Sequence, residues 1–154
     1  MDELHGSTQS AINSLLQLGV ALPLNTTDAE IPSDYSRIGN SGEGNIGDLM
    51  GHLASYLQFL EYQTSLAEAD HDAWNNVYEF EKKKLMLTVE SKRRDLMEAE
   101  VENQILDKKN ILMTKYAKMK LLKAILEGKR KILDSLSREL SRRSLVLQIQ
   151  RGGM

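Results

Sequence analysis

Cysteine is absent from this 154-residue chain. That excludes disulfide frameworks, Cys-ligated zinc, iron–sulfur clusters and thiol nucleophiles, and it fits a reducing cytoplasm. Proline is nearly absent too. Pro23 and Pro32 are the only two, so beyond residue 32 no ring geometry forces the chain out of a helix. Histidine is confined to His5, His52 and His71, which leaves few candidates for acid–base work. Serine and threonine lack any elbow or triad context, and no Walker pattern occurs. The chain is therefore expected to be a non-enzyme with no cofactor. No apolar run approaches the roughly 18 residues a membrane span needs, and Met1-Asp2-Glu3 opens without a basic n-region. A soluble, cytoplasmic protein with no membrane partner is the expectation.

What the chain has is segregated charge. Residues 1–50 carry seven acids against Arg37 alone, residues 51–106 eleven acids against six bases, and residues 107–154 four acids against thirteen bases. The three parts come to −6, −5 and +9, so the whole-chain −2 conceals a C-terminal third suited to a polyanion.

The first third is poor in core-forming residues, leaving roughly a hundred to fold as one domain with an arm. Residues 8–18 place Ile12, Leu15, Leu16 and Leu18 on one helical face behind a Ser7 or Thr8 cap. The rest of residues 1–47 has loop and linker composition, so a flexible arm with one short amphipathic helix is predicted. From Asp48, a plausible N-cap, apolar residues recur at threes and fours to the late eighties, predicting a helix over about 48–88, some 60 Å long. Residues 89–106 are polar and mixed in sign and read as a turn or short helix. Asp107 can cap a second long helix, over about 107–147. Its seam of Leu112, Met119, Leu126, Leu133, Leu140 and Leu147 repeats every seventh residue, the mark of coiled-coil packing. Residues 148–154 are expected as a disordered tail.

The fold class is thus all-α: a long antiparallel, coiled-coil-like helical hairpin with a flexible N-terminal arm. Leu126, Leu133 and Leu140 are assigned to the hairpin or oligomer core. The first helix also carries heptad-spaced Phe59, Leu66, Ala73, Phe80 and Leu87 off that seam. A lone hairpin would leave them wet, and self-association as a homo-oligomer is the simplest remedy.

Three clusters could carry chemistry. Gly42-Glu-Gly44-Asn-Ile-Gly47 fits the letters of the dinucleotide fingerprint. It lacks a preceding strand, and Glu43 sets a like charge where pyrophosphate would sit, so it reads as linker. Asp70-His71-Asp72 has metal-ligand chemistry, but successive helical residues point about 100° apart, so it reads as a solvated face with no metal. The basic third is the remaining signal. Lys115, Lys123, Arg130, Arg138, Arg142 and Arg143 could track a phosphate backbone, with Tyr116 offering one stacking face. The alternative is that these bases simply pair with the acidic first helix. The nucleic-acid reading requires the bases beyond Asp107 to remain available once the helices have paired.

Leu53-Ala-Ser-Tyr-Leu-Gln-Phe-Leu-Glu-Tyr-Gln-Thr-Ser-Leu-Ala-Glu-Ala69, with Tyr116-Ala-Lys-Met-Lys-Leu-Leu-Lys-Ala-Ile-Leu-Glu-Gly-Lys-Arg130 and Leu136-Ser-Arg-Glu-Leu-Ser-Arg-Arg143, resembles small helical-hairpin proteins of tailed bacteriophages. In layout it is similar to the UvsY-type recombination mediators. That resemblance, over about residues 48–143, implies a homo-oligomer in the host cytoplasm that binds single-stranded DNA, helps displace the single-strand-binding protein and loads a RecA-like recombinase. The competing expectation is a non-enzymatic coiled-coil adaptor or virion assembly protein that binds other proteins. A third is a regulator that docks its N-terminal arm on a host enzyme.

Overall fold

The computed structural model describes residues 3–22, 43–88 and 94–152. Among them every regular element is a helix: α1 (Gly6–Gln17), α2 (Glu43–Met86), α3 (Arg94–Gln104) and α4 (Leu106–Gly152). α2 and α4, of 44 and 47 residues, pack together as an all-α hairpin. No described helix is long and apolar enough to cross a membrane.

α2 starts earlier than the expected Asp48. Gly42 lies outside the described residues, but Glu43 to Gly47 form the first turn of the helix. Glycine costs a helix interior about 1 kcal/mol. Here Ile46 is fully buried in a cluster with Leu53, Leu57, Leu60, Leu126, Ile132 and Leu136, and the burial of one isoleucine side chain, about 1.5–3 kcal/mol, offsets that penalty. The expected linker reading of this stretch is corrected by packing that residue spacing does not reveal. α2 ends on two short-range bonds, Leu87 N–H to the Lys84 carbonyl and Thr88 N–H to the Leu85 carbonyl. The turn expected from residue 89 is therefore already under way at Leu87.

Packing divides the chain into two compact units, residues 1–22 with 63–122, and residues 23–62 with 123–154. In the first, Val101 of α3 and Ile105 just beyond it bury against Tyr78, with Leu85, Met86 and Leu112 around them. α3 thus covers apolar surface of α2. Phe80 and Leu87 remain 70% and 88% exposed. From Asp70 to Glu81 on α2 the ion-pair partner on α4 falls from Lys115 to Lys108, which fixes the antiparallel sense. In the second unit Leu126 belongs to the buried cluster, and Leu133 and Leu140 pack against it, in the places the heptad assigns them.

Two terminal expectations are corrected. Residues 23–42 of the expected arm lie outside the described residues, but residues 3–8 are not free: they pack in the first unit, with Thr8 buried. α1 is capped by His5, whose ring nitrogen accepts from the Ser7 N–H at 3.3 Å. It closes with Gly19 at φ 75°. The Gly19 N–H reaches the Leu16 carbonyl and the Val20 N–H reaches that of Leu15, the five-to-two and six-to-one bonds of a Schellman end. At the other terminus α4 continues to Gly152, so residues 148–152 are helix rather than tail.

Candidate nucleic-acid interface

Of the thirteen bases beyond Asp107, at least four in the described structure meet carboxylates from residues 61–102. Lys108 pairs with Glu81, and Lys109 donates to Glu102 at 2.8 Å, beside Lys82 at 3.6 Å. Lys115 meets Asp70 at 3.0 Å, and Arg130 donates to Glu61 at 2.7 Å. The hydrogen bond and charge of Lys109 hold the Glu102 carboxyl below its ordinary range, and Glu102 in turn holds the Lys109 ammonium above its own.

These four are not equivalent. The Lys115 side chain is only 10% exposed, so Lys115 is not a surface cation. Its expected role as a phosphate contact is corrected to that of a buried ion-pair partner. Asp70 is corrected with it: the residue is 2% exposed, not part of a solvated face. His71 turns away from it to Asp72, at 3.0 Å, and no group of three or more metal-ligating side chains converges among the described residues. The sequence does hold a signal for this pair. Asp70 follows Ala67 by three, and Lys115 precedes Met119 by four, so both charges stand at core spacing on their helices. Arg130 is the opposite case, with 57% of its side chain exposed against 50% for Glu61.

Along the rest of α4, Tyr116 is 47% exposed, with the Lys120 ammonium 5.3 Å from its ring centroid and the His71 ring at 5.6 Å. Lys129 lies 5.8 Å from the Tyr56 ring centroid, and Lys118 and Lys123 are engaged by neighbouring groups. Glu139 binds two arginines at once. It accepts from Arg142 Nε and Nη2 at 2.9 and 2.8 Å and from Arg143 Nε at 2.8 Å. These bonds hold its carboxyl well below the usual value, to about 2. The Arg143 side chain, 18% exposed, is turned in to this contact, whereas that of Arg142 is 67% exposed.

An outward row is left. Lys131, Arg138 and Arg142 follow one another at spacings of seven and four, so on α4 they share one stripe within roughly 40° of arc. All three are exposed. Lys131 pairs with Glu127 one turn back on its own helix, both about two-thirds exposed. Arg138 makes no ion pair among the described residues. Of the seven residues singled out, the structure brings Lys123, Arg130, Arg138 and Arg142 to accessible surface of one unit, places Arg143 inward and removes Lys115. Tyr116 stands in the other unit. Lys131 is the member of the row that sequence reading leaves out, and its seven-residue offset from Arg138 marks it.

Comparison with known proteins finds no match to the chain among family models, curated sequences or solved structures.

Proposed function

We propose that this chain is a non-enzymatic accessory protein that binds single-stranded DNA through the distal part of α4. Following the resemblance in its layout, it acts as a homo-oligomer that assists loading of a RecA-like recombinase. The observation that carries this reading is the outward row of Lys131, Arg138 and Arg142, with Arg130 beside it. From residue 123 onward there are eight bases against three acids, and the carboxylate partners of Arg130 and Lys131 are themselves in water. Exposed ion pairs contribute about 0–1 kcal/mol, so a phosphate can take the place of Glu61 or Glu127 at little cost. A few phosphate contacts per copy bind weakly and lose affinity steeply with salt. Several copies along one strand add avidity through effective concentration.

A second reading, the adaptor or assembly protein, has its own support. Leu145, Val146, Leu147 and Ile149 at the end of α4 are 39–73% exposed, the kind of apolar surface that marks a protein contact. Fluorescence anisotropy with a labelled oligonucleotide at low and moderate salt, beside light scattering for mass, separates the two. Salt-sensitive binding by an oligomer is expected. No binding even at low salt would sink the first reading and leave the second.

A further inference from the structure

Asp70 and Lys115 face each other in the first unit, with 3% and 10% of their side chains exposed and 3.0 Å between their charged atoms. Neither is satisfied by the other alone, since a carboxylate can accept about four hydrogen bonds and an ammonium donates three. The N-terminal segment supplies further partners. The His5 N–H donates to Asp70 Oδ1 at 2.7 Å, and the Glu3 carbonyl accepts from Lys115 Nζ at 2.9 Å. Both are main-chain groups, two residues apart on a non-helical stretch. What the charge pair recognises is therefore a peptide backbone, its N–H received by the carboxylate and its carbonyl by the ammonium. Side chains set the register. Leu4 lines a crevice with Gln63, Leu66, Ala67 and Lys118, and the His5 ring meets the Trp74 ring edge-on at 5.6 Å.

The attachment is local. Thr8 is the last buried residue of α1, and Leu15, Leu16, Leu18 and Val20 beyond it are 41–79% exposed. The two sides of the site also differ in origin. α2 and α4 carry Asp70 and Lys115, and the contact between these two charges runs through no atom of the segment.

We infer that Asp70, Lys115 and the adjoining crevice form a peptide-binding cradle whose ligand is the protein's own N-terminal segment, residues 3–8, held as a releasable latch rather than as part of the hairpin. The ligand class is an extended peptide that offers a carbonyl and an N–H two residues apart, with a leucine between them.

Trp74 is the single tryptophan and touches the latch, so its fluorescence reports occupancy. In the full-length Leu4→Asp variant, acrylamide quenching of Trp74 should rise at least about twofold with the helical circular dichroism unchanged. A synthetic peptide of residues 1–22 should restore the wild-type value saturably, and the same peptide carrying Leu4→Asp should not. Quenching equal to wild type, or a variant indifferent to the peptide, would overturn the proposal. Should Leu4→Asp lose its helical signal, hydrogen exchange on the wild-type chain decides. The His5 amide should exchange through a local opening, at least about tenfold faster than α2 amides around Asp70. Equal rates would mean that the segment leaves only on global unfolding, and there is no latch.

Discussion

Arg130 Nη2 stands 2.7 Å from Glu61 Oε1 with both side chains half in water, whereas the Lys115 and Asp70 pair is almost dry. Similar distances therefore describe different energetics. An exposed pair trades one set of hydrated charges for another and contributes little. A buried one has lost its hydration and depends on each partner being present. Glu61→Gln is accordingly expected to change unfolding free energy by less than about 1 kcal/mol, read by urea titration. If the proposed DNA role holds, it should also raise oligonucleotide affinity by freeing Arg130. Weaker binding after Glu61→Gln would argue that Arg130 is not in the interface.

Asp70→Ala should be costly, because it strands the Lys115 ammonium in the seam. A loss of about 3–5 kcal/mol is expected for breaking such a pair. The double replacement Asp70→Leu with Lys115→Met should recover part of that loss, since two apolar side chains need no partners, although the His5 N–H and the Glu3 carbonyl lose theirs. A double variant less stable than Asp70→Ala would show that the pair contributes net stability where it sits.

Arg138→Ala combined with Arg142→Ala should keep the helical signal while flattening the dependence of oligonucleotide affinity on salt. Each lost single-strand phosphate contact lowers the slope by about 0.7. An unaltered slope would remove both arginines from the binding surface.

The long helices were legible because their apolar spacing agrees with where burial falls. Met119 and Leu126 are buried, and Leu133 and Leu140 are packed against the core. Periodicity weakens as a guide wherever a single residue decides. Gly44 and Gly47 look like linker, and only the full burial of Ile46 between them brings their turn into α2. Asp70 and Lys115 are charged letters, which composition assigns to solvent. Their core spacing says otherwise, but the partners that make the burial tolerable come from 65 and 112 positions away in sequence. The basic third is legible as charge and not as surface, because whether a lysine faces a carboxylate depends on the register of two helices. That register pairs Lys108 with Glu81 and leaves Arg138 outward, while Lys109 meets Glu102 of the neighbouring α3.

Leu136 is fully buried at the centre of the second unit's core, in one cluster with Leu53, Leu57 and Ile132. Truncation there leaves a cavity that rigid helices cannot close. Leu136→Ala should cost about 2–5 kcal/mol, and Leu140→Ala, at a partly buried position, distinctly less. Equal losses in chemical denaturation would indicate that the two sites are equally enclosed.

Glu139 supplies a pH test whose sign is fixed by its two arginines. Its carboxyl titrates near 2 in the folded chain, below the ordinary value of 4.5, because Arg142 and Arg143 hydrogen-bond the charged form. A group depressed in this way contributes stability that is fully present above about pH 4.5 and lost as the pH falls toward 2. The arginines remain charged throughout. Other depressed carboxyls, such as Glu102 and Glu127, respond to acid as well, so the comparison must be with Glu139→Gln, in which they are retained. The melting temperature of the wild type should exceed that of Glu139→Gln at neutral pH, and the gap should close between pH 4.5 and 2. A gap that persists unchanged into acid would mean that the two arginines gain nothing from the ionised carboxylate.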